Sequence, residues 1–186
     1  MVADFQFLVD KLHSKLQGWK AKLLSQVGKT TLISSTLQFM PLYTFSCFKV
    51  PEVVCNKTDA ISRAFWWRHD QTERKLHLVS WDKICRPREE GGLGLKKFGL
   101  MNQAMLAKQF WRIGQNPQSL ISKTFKAKYF PNSSIYDCVP KPHHSWFWRS
   151  IINQKNNLLK EGRWIVRNGA NIPLTYTAWF PCQPQA

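Results

Sequence analysis

Apolar residues recur at intervals of three or four along the start of the chain, at Phe5, Leu8, Leu12, Leu16, Trp19 and Leu23. A helix advances by 3.6 residues per turn, so this spacing gathers them on one face of a long amphipathic helix. Lys11, Lys15, Lys20 and Lys22 fall mostly off that stripe. Gly28 offers a break, and a second helix is expected from Thr30 toward Met40, where Pro41 ends or kinks it. Pro51 stands where a helix N-terminus would, with Val54, Thr58, Ile61 and Phe65 at helical spacing behind it. Farther on, Met101, Met105 and Trp111 flank one side of a helix and Leu106, Phe110 and Ile113 another, an apolar surface wide enough to be buried between neighbours. Leu120, Phe125 and Tyr129 open a further helical block that Pro131 closes, and residues 132–142 read as a linker. Ser145 is a candidate cap for a helix whose stripe is Trp148, Ile151, Ile152, Leu158 and Leu159, with Gly162 just past its end. The tail differs: Arg163 to Arg167 is β-prone, Asn168-Gly169 is a hairpin turn signal, and Pro173 confines the return strand to an edge.

The pattern therefore predicts a mainly α fold: a helical bundle, a glycine-rich crossing loop, further helices and a small C-terminal β-hairpin. Three segments follow, at 1–80, 81–131 and 132–186. Between the helical blocks, Trp81-Asp82-Lys83-Ile84-Cys85-Arg86-Pro87-Arg88-Glu89-Glu90-Gly91-Gly92-Leu93-Gly94-Leu95 has neither a helical nor a strand period. Arg86-Pro87 cannot continue a helix, and Gly91, Gly92 and Gly94 supply the backbone freedom that an ordered loop needs.

This run resembles the W-D-K-x-C-x-P-x-x-E-G-G-L-G signature found downstream of the polymerase domain in plant LINE-type (non-LTR) retrotransposon reverse transcriptases. Other motifs follow in the family's order. Upstream stand Leu16-Gln17-Gly18-Trp19-Lys20, Leu24-Ser25, Gly28-Lys29, Leu32-Ile33, Pro41-Leu42-Tyr43 and Phe65-Trp66-Trp67. Downstream stand Ala127 to Pro131, Ser145 with Trp148 to Ile151, and Gly162-Arg163-Trp164 with Asn168-Gly169. The resemblance spans about Leu16 to Pro181. It implies that residues 1–80 are a thumb-like helical region, and that the chain runs from thumb and linker toward a segment of the reverse-transcriptase zinc-binding type. Thr175 and Thr177 stand where the family has Trp and Asp, so the hairpin is expected to be incomplete.

Composition sharpens the partner. With 44% hydrophobic and 13% aromatic residues, the 186-residue chain can bury a real core. Its 27 Lys and Arg against 11 Asp and Glu give +16. Residues 51–100 hold ten basic and seven acidic side chains, whereas residues 101–186 hold eleven basic and two acidic. A positive field concentrated in the second half favours a polyanion, most commonly nucleic acid. Five cysteines with no C-x-x-C pair and no basic leader read as reduced thiols of an intracellular protein, nuclear or cytoplasmic, and no apolar run is long enough to span a bilayer.

Catalytic readings fare poorly. Gly28-Lys29-Thr30-Thr31 looks like the end of a phosphate-binding loop, but the glycine required five positions earlier is Leu23. Two-metal polymerisation needs convergent aspartates, and the chain has no Asp-Asp pair; after Glu90 only Asp137 and Glu161 remain for a ribonuclease H centre. Cys138, His143, His144 and Cys182 are zinc-ligand types without paired ligand spacing, so no metal or other cofactor is expected. What remains is binding. Lys108 and Arg112 lie four apart on one helix, Lys126 and Lys128 crowd the next with Lys123, and Arg149 adjoins Trp146, Phe147 and Trp148. Cations beside rings are the ingredients of single-strand or hybrid recognition, although rings at helical spacing are more often core.

The expectation is a non-catalytic piece of a retrotransposon reverse transcriptase, related to ribonuclease H-like proteins, that binds RNA or RNA-DNA hybrid through Lys108, Arg112, Lys126, Lys128 and Arg149. Trp81, Gly91, Gly92 and Gly94 are expected to hold the loop. Two alternatives stay open: an interaction fragment that self-associates through exposed apolar faces, and a translated pseudogene with no function.

Overall fold

The computed structural model describes residues 2–18, 24–67 and 78–161. The described residues form helices and connecting turns, with no strand among them. The hairpin expected after Gly162 lies outside them, as do Trp19, Leu23, Lys20, Lys22 and Cys182. The chain divides into two compact units, Met1–Leu106 and Ala107–Ala186.

In the first unit a short 3-10 turn, Ala3–Phe5, leads into helix α1, Gln6–Gln17. The stripe read from the sequence is the buried face: Phe5, Leu8 and Leu12 are buried, joined by Val9. Helix α2, Gln26–Leu32, starts earlier than its pattern predicts, because the Ser25 hydroxyl accepts the Gly28 N–H and caps it. Gly28 is therefore inside the first turn and not a break. The helix widens into a π-helical turn, Ile33–Leu37, before Pro41 and helix α3, Leu42–Cys47. Pro51 precedes helix α4, Glu52–Trp67, whose Val54, Thr58 and Phe65 are buried as their spacing predicts. Helices α1 and α2 both pack on α4. Leu12, Ile33, Leu37 and Phe65 form a core with Trp81, Ile84 and Leu95 of the loop segment.

The stretch from Trp81 to Leu95 is thus an anchored element. It begins with a single helical turn, α5, Trp81–Ile84, capped by Ser80. Three backbone bonds then fold the chain back: Gly92 N–H to Pro87 O at 3.0 Å, Leu93 N–H to Ile84 O at 2.8 Å, and Gly94 N–H to Arg86 O at 2.9 Å. Gly91 and Gly94 take φ of 78° and 72°, the left-handed region that glycine enters without a side-chain penalty. Gly92 is required for a different reason: a Cβ there would lie 2.0 Å from the Arg86 carbonyl oxygen.

Helix α6, Phe98–Gln115, starts where Asp59 of α4 receives both the Phe98 N–H and the Trp81 indole N–H, each at 3.4 Å. Buried Asn102 accepts the Val50 N–H at 3.0 Å and donates to the Phe45 and Phe48 carbonyls at 3.0 and 2.8 Å. Both amide hydrogens and the amide oxygen are thus bonded at a buried position.

The second unit contains the end of α6, helix α7, Leu120–Tyr129, helix α8, Trp146–Ile152, and helix α9, Lys155–Glu161. The pattern read α8 and α9 as one helix; they are separated at Asn153–Gln154. Buried Gln154 starts the second, its carbonyl accepting the Leu158 N–H and its side-chain oxygen accepting from Asn157 Nδ2. The segment expected as a linker also packs, with Ile135 and Cys138 buried around a 3-10 turn, Ile135–Asp137.

Candidate nucleic-acid interface

Burial decides which rings of the second unit remain available to a ligand. Trp148 is fully buried. Its plane lies 2° from that of Tyr129 at 4.7 Å and 15° from that of Phe130 at 5.6 Å, with Phe125 at 5.2 Å. Phe147 stacks on Phe125 at 5.6 Å, and Phe110 meets Tyr136 edge-on at 5.8 Å. Phe147 and Trp148, beside Arg149 in sequence, are therefore core packing, as rings at helical spacing usually are. Ser145 caps α8 through the Trp148 N–H and also bonds the Tyr129 hydroxyl at 2.8 Å, which fixes α8 against α7.

The five cations singled out by the sequence all belong to the second unit, and all are exposed. Lys108 and Arg112 share a solvent-facing strip of α6, a helix without a single carboxylate. Lys126 and Lys128 are not neighbours in space. Two residues apart on α7, they diverge by about 160° around the axis, one on each flank of the buried face. Lys128 Nζ instead sits 5.5 Å from the Tyr129 ring centroid, a cation-π contact. Arg149 is exposed on α8 beside buried Trp148 and Ser150. Helix geometry thus pairs Lys108 with Arg112, and Lys126 with Lys123 on the same side of α7.

One ring departs from the rest. Trp111 was expected on an apolar flank of α6, yet it is 46% exposed, in the same strip as Lys108 and Arg112. The signal was present in the sequence, as an aromatic between two cations on a carboxylate-free helix, but the apolar spacing outweighed it.

His144 is buried, and its Nδ1 accepts the Lys141 N–H at 3.1 Å, which places the neutral ring's proton on Nε2. Burial, with His143, Lys141 and Arg149 nearby, holds its pKa below the ordinary range. Burial also raises the Cys138 thiol. Among the described residues, no three His, Cys, Asp or Glu side chains stand together as a metal site.

In the first unit the chemistry is structural. Burial pushes the Cys55 thiol up to about 11 and the Cys85 thiol up to about 12, with the Asp59 carboxylate adding to both, so neither supplies a thiolate nucleophile near neutral pH. Lys29, the lysine of the apparent phosphate-loop ending, is fully buried in a helix. Asp82 is ion-paired with Lys97 at 2.6 Å beside the glycine loop.

No family model matches the chain, and no solved structure matches it. Two Arabidopsis thaliana proteins are similar in sequence. An "Uncharacterized mitochondrial protein" is 40% identical over 142 residues, covering 76% of this chain and 92% of its own length. A "Putative ribonuclease H protein" is 33% identical over 184 residues, covering 97% of this chain. The chain spans 30% of the length of that longer relative.

Proposed function

Since the chain belongs to the plant family that contains both Arabidopsis proteins, with homology to ribonuclease H-like and retroelement proteins, we propose that it is a non-catalytic, thumb-and-linker-like piece of a non-LTR reverse transcriptase. Its activity is the binding of RNA or RNA-DNA hybrid. The observation that carries this reading is the surface of the second unit: Lys108, Arg112, Lys126, Lys128 and Arg149 are all exposed, in a region with eleven basic and two acidic residues. Exposed cations without nearby carboxylates are free to replace the counterions condensed on a phosphate backbone. The chain's carboxylates offer no aspartate pair for two-metal chemistry, and those near the loop are occupied: Asp59 by Trp81 and Phe98, Asp82 by Lys97.

A filter-binding titration against salt tests the reading. Affinity should fall steeply as salt rises, and alanine at Lys108 or Arg112 should each reduce the log-log slope by roughly one unit. Lys126 and Lys128 are to be replaced singly, because residues on opposite flanks of α7 cannot line one groove together. A variant lacking Lys108, Arg112, Lys126 and Arg149 should bind far more weakly than a charge-matched variant lacking Lys11, Lys15, Lys20 and Lys22. Equal losses in the two would reduce the effect to general basicity and refute a localised interface.

A second reading has an observation of its own. The first unit leaves the Phe39 and Tyr43 rings largely exposed, and exposed apolar surface favours self-association.

A further inference from the structure

Resting on the nucleic-acid reading above, we propose that Trp111 is a stacking platform for an unpaired base, so that the α6 surface takes a single-stranded RNA segment in preference to a closed duplex. Trp111 is the one exposed Phe, Tyr or Trp among the described residues of the second unit, where the His143 imidazole is the other exposed aromatic ring. Phe125, Tyr129, Phe130, Phe147 and Trp148 are consumed by packing on one another, and Phe110 by Tyr136. Trp111 has no such ring partner among the described residues.

Its neighbours supply the other half of a single-strand site. Helix geometry places Arg112 about 40° to one side of Lys108 and Trp111 about 60° to the other, within the solvent-facing sector. Lys108 is one turn before the indole, and Arg112 follows it directly. Two phosphate-neutralising groups therefore flank a half-exposed indole, with no carboxylate anywhere on the helix to oppose an anion. Stacking on an indole requires a base whose face is accessible. A base inside a duplex has both faces covered by its neighbours, whereas one in a single strand does not. The cations alone would not distinguish the two, since both forms present phosphates; the ring is what discriminates.

The test compares a single-stranded oligoribonucleotide with the same strand in a blunt RNA-DNA hybrid, using full-length protein. Trp111→Leu should weaken single-strand binding by at least about fivefold, within the range seen for loss of one base stack. Hybrid binding should stay within about twofold, and the salt slope should not change, because no charge is removed. Trp111→Phe should restore most of the single-strand affinity. If the Leu variant does not fold, protein labelled with 5-fluorotryptophan keeps the question open to measurement. Its Trp111 resonance, assigned by its loss in Trp111→Phe, should shift on adding the single strand and not the hybrid. Equal losses on both probes, no loss on either, or an unmoved Trp111 resonance would overturn the proposal. Wild-type protein that binds the probes while Trp111→Leu is silent sinks the stacking site alone. Wild-type protein that binds neither probe in a salt-dependent way sinks the nucleic-acid reading with it.

Discussion

Gly91, Gly92 and Gly94 show how neighbouring identical residues are needed for different reasons. Gly91 and Gly94 hold positive φ, where a β-branched side chain strains the backbone, while Gly92 has Arg86 O where a Cβ would be. Valine at 91 or 94 should cost about 1 kcal/mol or more from backbone strain. Valine at 92 should cost more than either, because the clash is with backbone and nothing flexible can yield. Denaturant melts of the three variants check the order. Equal stability of all three would show the turn to be slack in solution. Asn102 is the polar counterpart, one side chain whose three bonds tie α6 to Phe45, Phe48 and Val50.

At the level of elements, the entry to α8 concentrates more interactions than any propensity would predict. Ser145 caps the helix and bonds the Tyr129 hydroxyl, while the preceding His144 is buried edge-on to the Tyr129 ring at 5.1 Å. His143, Lys141 and Arg149 are the charged or titratable groups that disfavour a positive charge on His144. Its folded pKa lies below the ordinary 6.5, so the unfolded chain binds the proton more readily. Stability gained from a neutral His144 is therefore fully present above about pH 6.5 and is lost as pH falls toward the folded pKa. The thermal midpoint should drop between pH 7.5 and about 5.5, and His144→Gln, which cannot titrate, should flatten that decline. A decline just as steep in His144→Gln would assign the acid sensitivity elsewhere.

For the molecule as a whole, a net charge of +16 governs both of its candidate associations, with opposite signs. Phosphate binding releases counterions and weakens with salt. Self-association through Phe39 and Tyr43 must overcome repulsion between two cationic chains, so it should strengthen as salt shortens the Debye length below about 10 Å. Sedimentation velocity at about 0.05 and 0.5 M salt separates the two. Association that rises with salt and disappears in a Phe39→Ser, Tyr43→Ser double variant supports this apolar association, whereas association that falls with salt excludes it.

Helical period is a local property, so spacing alone located α1, α4, α6 and α7 and most of their buried faces, from Leu8 and Leu12 to Phe110 and Ile113. The loop around Trp81 was legible because Pro87 bars a continuing helix and the glycines admit left-handed backbone whatever surrounds them. Ser25 capping α2, which put Gly28 inside a helix, was missed because a cap depends on the path by which the chain enters. The candidate cations were legible in the sequence, but their arrangement was not. Five cations stood out in the sequence, yet the rotation of α7 decided that Lys126 and Lys128 part company. Trp111 and Trp148 both fell on apolar spacings, and only packing buried one among Tyr129, Phe130 and Phe125 while leaving the other open to solvent. Periodicity assigns a residue to a face of its helix; which faces meet another element is settled by contacts distant in sequence, and those exist only in the folded chain.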